Sequence, residues 1–313
     1  MSISINAVSM DFGRGPRAKR VLKDVSINID DGEIVGYAGL NGAGKTTTMR
    51  ISAGVISPLS GDVVINQISM KDQKLEASRH VAWIPEAPML DPIEKPRDIF
   101  NEIGSYLSYT RNEIREKFTE CMERVALTDH MDKRIGSMSN GMKKRMHLAI
   151  GFFINPDNYL MDEPFNGLDP EGTSNLRDLI KQLKKEDKAV LLSTHVLNQI
   201  TDLCDRIVII KKGEIVRNER ISEIDFHDVI RSEISCGDKS LIKNMDEELQ
   251  TFGEVNIEPT EKSDVYTLTI GDLKVKDAGT HRIWEVLENR GIRVISMKQE
   301  VGSIEDYFKE AME

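Results

Sequence analysis

The chain has 313 residues with 42 Lys+Arg against 52 Asp+Glu, a formal net charge of −10. That length accommodates one large domain plus a smaller one, or two modest ones. Mean hydropathy is −0.36, no apolar run approaches the length of a membrane span, and Met1–Asn6 has neither the basic start nor the apolar core of a secretory leader. Three cysteines (Cys121, Cys204, Cys236), widely spaced and odd in number, read as reduced, packed thiols of a cytoplasmic protein. Residues 225–313 hold 11 basic against 20 acidic side chains, while residues 1–224 are nearly balanced. This shift predicts a domain boundary near 224/225 and argues against nucleic acid binding by the tail.

Ile3–Met10 alternates apolar and polar residues and predicts a strand. A basic loop through Arg14, Arg17, Lys19 and Arg20 leads to a second strand around Val25, Ile27 and Ile29. Glu33–Ala38 reads as a buried strand, Thr46–Ala53 as a helix, and Asp62–Ile65 and Val81–Ile84 as further strands. Residues of about 95–151 change to helical periodicity, with Ile99, Ile103 and Leu107 on one face and Ile114, Phe118, Cys121, Met122 and Val125 on another. Strand–helix alternation then resumes: strand Tyr159–Met161, helix Thr173–Leu183, buried strand Ala189–Leu192, helix Val196–Leu203 and a last strand Ile207–Ile210 before a Lys212-Gly213 turn. The tail predicts strand Val265–Ile270, helix Arg282–Arg290, strand Ile292–Met297 and a final helix opened by a capping-box-like Ser303-Ile304-Glu305-Asp306. The fold class expected is α/β: a mostly parallel sheet with an antiparallel β front, an inserted helical subdomain and a small C-terminal α/β module.

Gly39-Leu40-Asn41-Gly42-Ala43-Gly44-Lys45-Thr46, followed by Thr47, fits the phosphate-loop pattern G-x-x-x-x-G-K-S/T in its strand–loop–helix context. Glycines let successive N–H groups turn toward phosphate oxygens, and the helix N-terminus adds positive potential. Lys45 would reach the β- and γ-phosphates, and the Thr46 hydroxyl would ligate Mg²⁺. Tyr159-Leu160-Met161-Asp162-Glu163-Pro164 is an apolar strand ending in two carboxylates. Asp162 at its tip suits Mg²⁺, and Glu163 suits a general base for an attacking water.

Ser137-Met138-Ser139-Asn140-Gly141-Met142-Lys143-Lys144-Arg145 resembles the signature of the ATP-binding cassette (ABC) family, Leu-Ser-Gly-Gly-Gln before a basic helix. Ser139 and Gly141 match, Met138 is conservative, and Asn140 and Met142 depart from the consensus. The family order is completed by Phe12 at the adenine-stacking position, Gly167-Leu168-Asp169 as the D-loop, and His195 after Leu192-Ser193-Thr194 as the switch histidine. In Ile84-Pro85-Glu86 a glutamate stands where the family has glutamine; it keeps oxygen donors for Mg²⁺ and loses the amide donor. The resemblance spans residues 1 to about 220, and Val301-Gly302-Ser303-Ile304-Glu305-Asp306-Tyr307-Phe308 is similar to the Leu-Glu-Asp-x-Phe endings of export-type subunits.

The resemblance implies a P-loop NTPase core that binds ATP and Mg²⁺ and hydrolyses ATP. It further implies a second ATP-binding subunit, identical or different, whose signature completes the site, with Ser139 and Gly141 facing the other subunit's nucleotide and Asp169 of the D-loop among the nucleotide-binding residues. A separate transmembrane permease would receive the stroke around Glu86–Phe100 and the helical subdomain, placing the chain on the cytoplasmic face of the cell membrane, with export the favoured direction. A competing expectation is a soluble ABC ATPase acting on nucleic acid, ribosomes or a cytosolic assembly. One cassette and an acidic tail weigh against it.

Overall fold

The computed structural model describes residues 2–13, 15, 18–87, 89–224, 228–237, 249–260, 262, 264–271, 279–301 and 304–312. The chain divides into two compact units, Met1–Glu223 and Ile224–Glu313.

In the first unit, β1 (Ile3–Phe12), β2 (Lys19–Ile29), β4 (Ser60–Ile65) and β5 (Ile68–Ser69) form an antiparallel sheet in the order β2-β1-β4-β5. A six-stranded sheet has the order β10-β9-β3-β8-β7-β6, from β3 (Ile34–Ala38), β6 (Val81–Ile84), β7 (Asn158–Asp162), β8 (Ala189–Thr194), β9 (Arg206–Lys211) and β10 (Glu214–Arg220). Every strand pair from β9 to β6 is parallel, and β10 returns antiparallel along β9. β3, β7 and β8 are buried along their whole lengths, as strands covered on both faces must be. The core joins Ile3, Ile5 and Val8 of the antiparallel sheet to Val35, Leu160, Leu191 and Val208 of the parallel one, with Met49 and Ile51 of α1 (Lys45–Ser52) between.

α2 (Lys74–Ser78) precedes β6, and α3 (Pro96–Tyr106), α4 (Arg111–Arg124) and α5 (Asn140–Ile154) form the helical insertion between β6 and β7. Pro96 suits the first helical position of α3. α4 opens with a capping box: the Glu113 N–H donates to Thr110 Oγ1 at 3.3 Å and the Thr110 N–H to Glu113 Oε2 at 2.7 Å. Phe100 packs on Phe118 and Phe153 with ring centroids 4.9 and 4.8 Å apart, which locks the three helices together. α6 (Pro170–Lys185) then crosses back to β8.

Three expectations for this unit need correction. Lys19 and Arg20 belong to β2, because Arg20 lies across from Asp11 and pairs with its carboxylate; Arg14 and Arg17 lie outside the described residues. Val196–Leu203 is no α-helix. It holds one 3₁₀ turn, Leu197–Gln199, and the buried Leu197, Ile200 and Leu203 are spaced by three. The Ile200 N–H reaches Leu197 O and the Leu203 N–H reaches Ile200 O, a period that fits three residues per turn. Ile207–Ile210 is not the last strand: Lys212 (φ 49°) and Gly213 (φ 85°) make a two-residue hairpin turn into β10.

The second unit has a four-stranded antiparallel sheet in the order β12-β13-β11-β14, from β11 (Asp228–Ser235), β12 (Glu254–Pro259), β13 (Val265–Gly271) and β14 (Arg293–Val301). β13, α7 (Gly279–Asn289) and β14 flank β11 in a split βαβ arrangement. Ile283 and Leu287 of α7 pack on Ile230, Ile234, Leu268 and Ile270. β11 and β12, absent from the sequence expectation, are short of apolar residues: β11 has Val229, Ile230 and Ile234, and β12 has Val255 and Ile257, which are only half-buried. α8 (Ile304–Met312) closes the chain, with Asp306 paired to Arg231; Ser303 of the expected capping box lies outside the described residues. Cys121, Cys204 and Cys236 are buried free thiols, and burial pushes Cys121 up to about 12.

Candidate nucleotide site

Four parallel strands end along one sheet edge, where α/β sheets bind ligands. β3 stops at Ala38 and enters the glycine loop, β7 stops at Asp162, β8 at Thr194 just before His195, and β6 at Ile84, two residues before Glu86. Register aligns them: Ala38 lies beside Thr194, and Asp162 beside Ser193.

Residues 39–44 wrap onto the first turn of α1. Gly44 is its N-cap at φ 120° and makes no side-chain cap hydrogen bond. A Cβ at Gly44 would stand 2.6 Å from Leu22 Cδ2, so both backbone angle and space require glycine. Lys45 is buried, and its ammonium donates to Gly39 O at 2.7 Å and lies 3.4 Å from Glu163 Oε1. The Thr48 hydroxyl, 3.1 Å from both Gly44 O and the Tyr37 hydroxyl, ties the helix to the strand beneath.

Glu163 is held from several sides. Its backbone is left-handed, φ 45°, a conformation that costs a non-glycine residue about 1–2 kcal/mol. Its N–H donates to Ser193 Oγ at 2.9 Å, while the Ser193 hydroxyl donates to Asp162 Oδ1 at 2.6 Å. Its carbonyl accepts from Lys144 Nζ at 3.1 Å, and its Oε2 lies 2.9 Å from His195 Nδ1. Asp162 and Ser193 are buried, and the His195 ring is partly exposed. Lys144 also donates to Asn166 O, and the Asn166 amide donates to Glu86 Oε1 at 3.3 Å. Burial pushes the Lys144 ammonium below its ordinary range, against the opposing pull of Glu86, Glu163 and Asp162.

A cavity of about 560 Å³ opens onto this edge, lined by Phe12, Lys19, Val21, Asn41, Gly42, Gly44, Lys45, Thr46, Thr47, Glu86, Glu163, Asn166 and His195. That volume suits a nucleotide-sized ligand. Gly39, Leu40 and Ala43 complete the glycine loop, and Asp162 sits at the strand tip behind it. Ser139, Gly141 and Asp169 do not line the cavity. Ser139 Oγ accepts from the Met142 N–H at 3.2 Å as N-cap of α5, and Asp169 Oδ1 accepts from the Gly172 N–H at 2.8 Å as N-cap of α6. Four contributors escape a reading by motif: Ser193, Lys144, Asn166 and Lys19. Lys19 alone carried a signal, since an antiparallel return of β1 places it across from Phe12.

A family model described as "ABC transporter" matches residues 22–166. An uncharacterized ABC transporter ATP-binding protein of Bacillus subtilis (strain 168), YhcH, is 30% identical over 302 residues, covering 94% of this chain and 92% of that one. This chain belongs to the ABC transporter ATP-binding proteins. The Nod factor export ATP-binding protein I of Cupriavidus metallidurans is 30% identical over 216 residues, 69% of this chain and 70% of its own. A solved dimer of the ATP-binding cassette MJ0796, in a post-hydrolysis state with ADP and Pi, is 25% identical with TM-score 0.65, covering 70% of this chain and 98% of that one. The protein is an ABC ATPase with the P-loop NTPase fold, and it binds ATP. Among the described residues no helix is long and apolar enough to cross a membrane.

Proposed function

We propose that this ABC protein hydrolyses ATP with Glu163 as general base and passes the resulting motion to a separate transmembrane permease, in the export direction. The observation that carries this reading is the Lys45–Glu163–His195 chain of contacts at the ends of three adjacent parallel strands. ATP would lay its phosphates along residues 39–47, with the loop N–H groups and Lys45 as donors. Phe12 at the cavity rim offers a stacking face for the base.

Glu163 removes a proton from the attacking water, a role that typically contributes ~10²–10⁴ in rate. His195 Nδ1 orients its carboxylate from one side, and the Ser193 and Lys144 bonds hold its backbone from the other. Among the described residues, no cluster of three or more His, Cys, Asp or Glu side chains could hold a metal by itself. Thr46, Asp162 and Glu86 nonetheless offer hard oxygen donors, which fits Mg²⁺ sharing its shell with phosphate oxygens and water. Bound there, Mg²⁺ would neutralise phosphate charge.

Ser139, Gly141 and Asp169 lie outside the cavity of their own chain, which supports a shared site that a second cassette completes, whether identical or different. Met89 and Ile93, about 70% exposed in the segment after Glu86, support a permease dock there. The protein would then sit on the cytoplasmic face of the cell membrane. The name of the Nod factor export relative supports export. Affinity purification from detergent-solubilised membranes tests the reading. Recovery of a multi-spanning partner in stoichiometric amount is the expected result, and recovery of ribosomes or DNA in its place would overturn it.

A further inference from the structure

Lys144 is a buried cation on α5 that reaches away from its own helix. Its ammonium donates to Glu163 O at 3.1 Å and to Asn166 O, the two carbonyls of a turn that the Asn166 N–H closes on Glu163 O at 3.2 Å. A buried ammonium costs several kcal/mol unless its donors are satisfied, and a leucine or methionine would fill the same space without that cost. Both named acceptors belong to the turn that carries the candidate base. Glu163 needs such support: it holds a left-handed φ of 45°, with its N–H on Ser193 and its carbonyl on Lys144. Releasing the carbonyl frees the peptide to relax, and the carboxylate direction follows the backbone.

Helix α5 also begins at Ser139, five residues before Lys144, or about 7.5 Å along the axis at 1.5 Å per residue. Asn166 extends the connection to Glu86 through its amide at 3.3 Å. We propose that Lys144 is a positioning residue for ATP hydrolysis, bolting the Glu163–Asn166 turn to the helix that starts at Ser139, so that helix, base and Glu86 move as one body. The proposal rests on the reading of Glu163 as general base. Lys144 does not line the nucleotide cavity; it acts on rate by keeping Glu163 where an attacking water can meet it.

The test compares Lys144→Met, Lys144→Arg and Glu163→Gln in the full chain, singly and with Lys144→Met/Glu163→Gln combined. Lys144→Met should lower kcat by about 10–100-fold, the cost of misplacing a reacting group by about an ångström. Its Kd for a fluorescent ATP analogue should stay within about twofold of the parent, because uniform binding is untouched. Lys144→Arg, which keeps charge and donors, should recover most of the rate. In the Glu163→Gln background Lys144→Met should cost nothing further, since the two act as one unit. If Lys144→Met lowers the melting midpoint by more than about 5 °C, the size of a serious core lesion, Lys144→Gln replaces it with an expected loss of about 3–10-fold. An unchanged kcat, a kcat loss matched by an equal loss of affinity, or multiplied losses in the double variant would each overturn the proposal. Parent-rate hydrolysis by Glu163→Gln alone would sink the base reading and the proposal together. A slow Glu163→Gln beside a normal Lys144→Met sinks only the proposal.

Discussion

Replacing Ser193 with alanine removes one oxygen and strands two groups. The hydroxyl donates to Asp162 Oδ1 at 2.6 Å and accepts from the Glu163 N–H at 2.9 Å, in a place with no solvent exposure. A hydrogen bond to a charged group is worth about 1.5–3 kcal/mol, and a buried donor that loses its acceptor costs about 1–3 kcal/mol. The two losses share one atom and do not add fully, so the expected destabilisation is about 3 kcal/mol. For a unit of 223 residues this lowers the melting midpoint by roughly 6–12 °C. The catalytic effect is separate: with its N–H released, the left-handed Glu163 peptide relaxes, and kcat should drop ~10–100-fold at 10 °C, well below the new midpoint. Thermal denaturation and steady-state ATPase assays on the same preparation read both quantities. A midpoint within about 2 °C of the parent, with kcat within twofold, would refute the view that Ser193 joins the two carboxylate residues.

Phe12→Ala should weaken ATP by about 5–100-fold, the range for a lost base-stacking face, with kcat at saturating ATP unchanged; Phe12→Trp should restore affinity, as isothermal titration would show. Arg206→Met should cost about 2–4 kcal/mol, because the guanidinium grips Glu33 Oε1 and Oε2 at 2.8 and 3.0 Å and also reaches the Asn28 carbonyl and Asn218. Burial raises the Glu33 carboxyl, but the bonds from Arg206 and the Asp30 N–H outweigh it, so its folded pKa lies below the ordinary 4.5. Its contribution to stability is therefore present above pH 4.5 and lost as pH falls through the lower folded value. Urea titrations at pH 7 and in that acid range should show the parent and Arg206→Met converging as pH falls; a constant gap would contradict the assignment.

The parts of the fold legible in sequence are those where an apolar run ends at a chemically distinctive residue. Val35 to Ala38 before the glycine loop, Tyr159 to Met161 before Asp162, and Ala189 to Leu192 before His195 gave both strands and strand ends. β10, β11 and β12 were illegible because they carry few apolar side chains: Glu214–Arg220 has only Ile215 and Val216, followed by four polar residues, and Glu254–Pro259 has only Val255 and Ile257 before its proline. Val196–Leu203 misled because apolar spacing by three looks helical unless the tighter turn is considered. Around the site, Ser193, Lys144 and Asn166 carry no motif of their own. Ser193 meets Asp162 only through the β7–β8 register, 31 residues away. Lys144 meets Glu163 only through the packing of α5 beneath the strand end. Such contacts are products of tertiary structure, and periodicity cannot announce them.

The central claim is that Glu163 is the base of a site which two cassettes complete around ATP, and Glu163→Gln tests it most directly. The amide keeps the size and polarity of the side chain but cannot take a proton from water. With ATP and Mg²⁺, light scattering coupled to gel filtration should show the variant as a stable dimer. Turnover should fall by ~10²–10⁴-fold, and dilution into nucleotide-free buffer should return monomers. A variant that stays monomeric with saturating ATP, or that hydrolyses at the parent rate, would contradict the account.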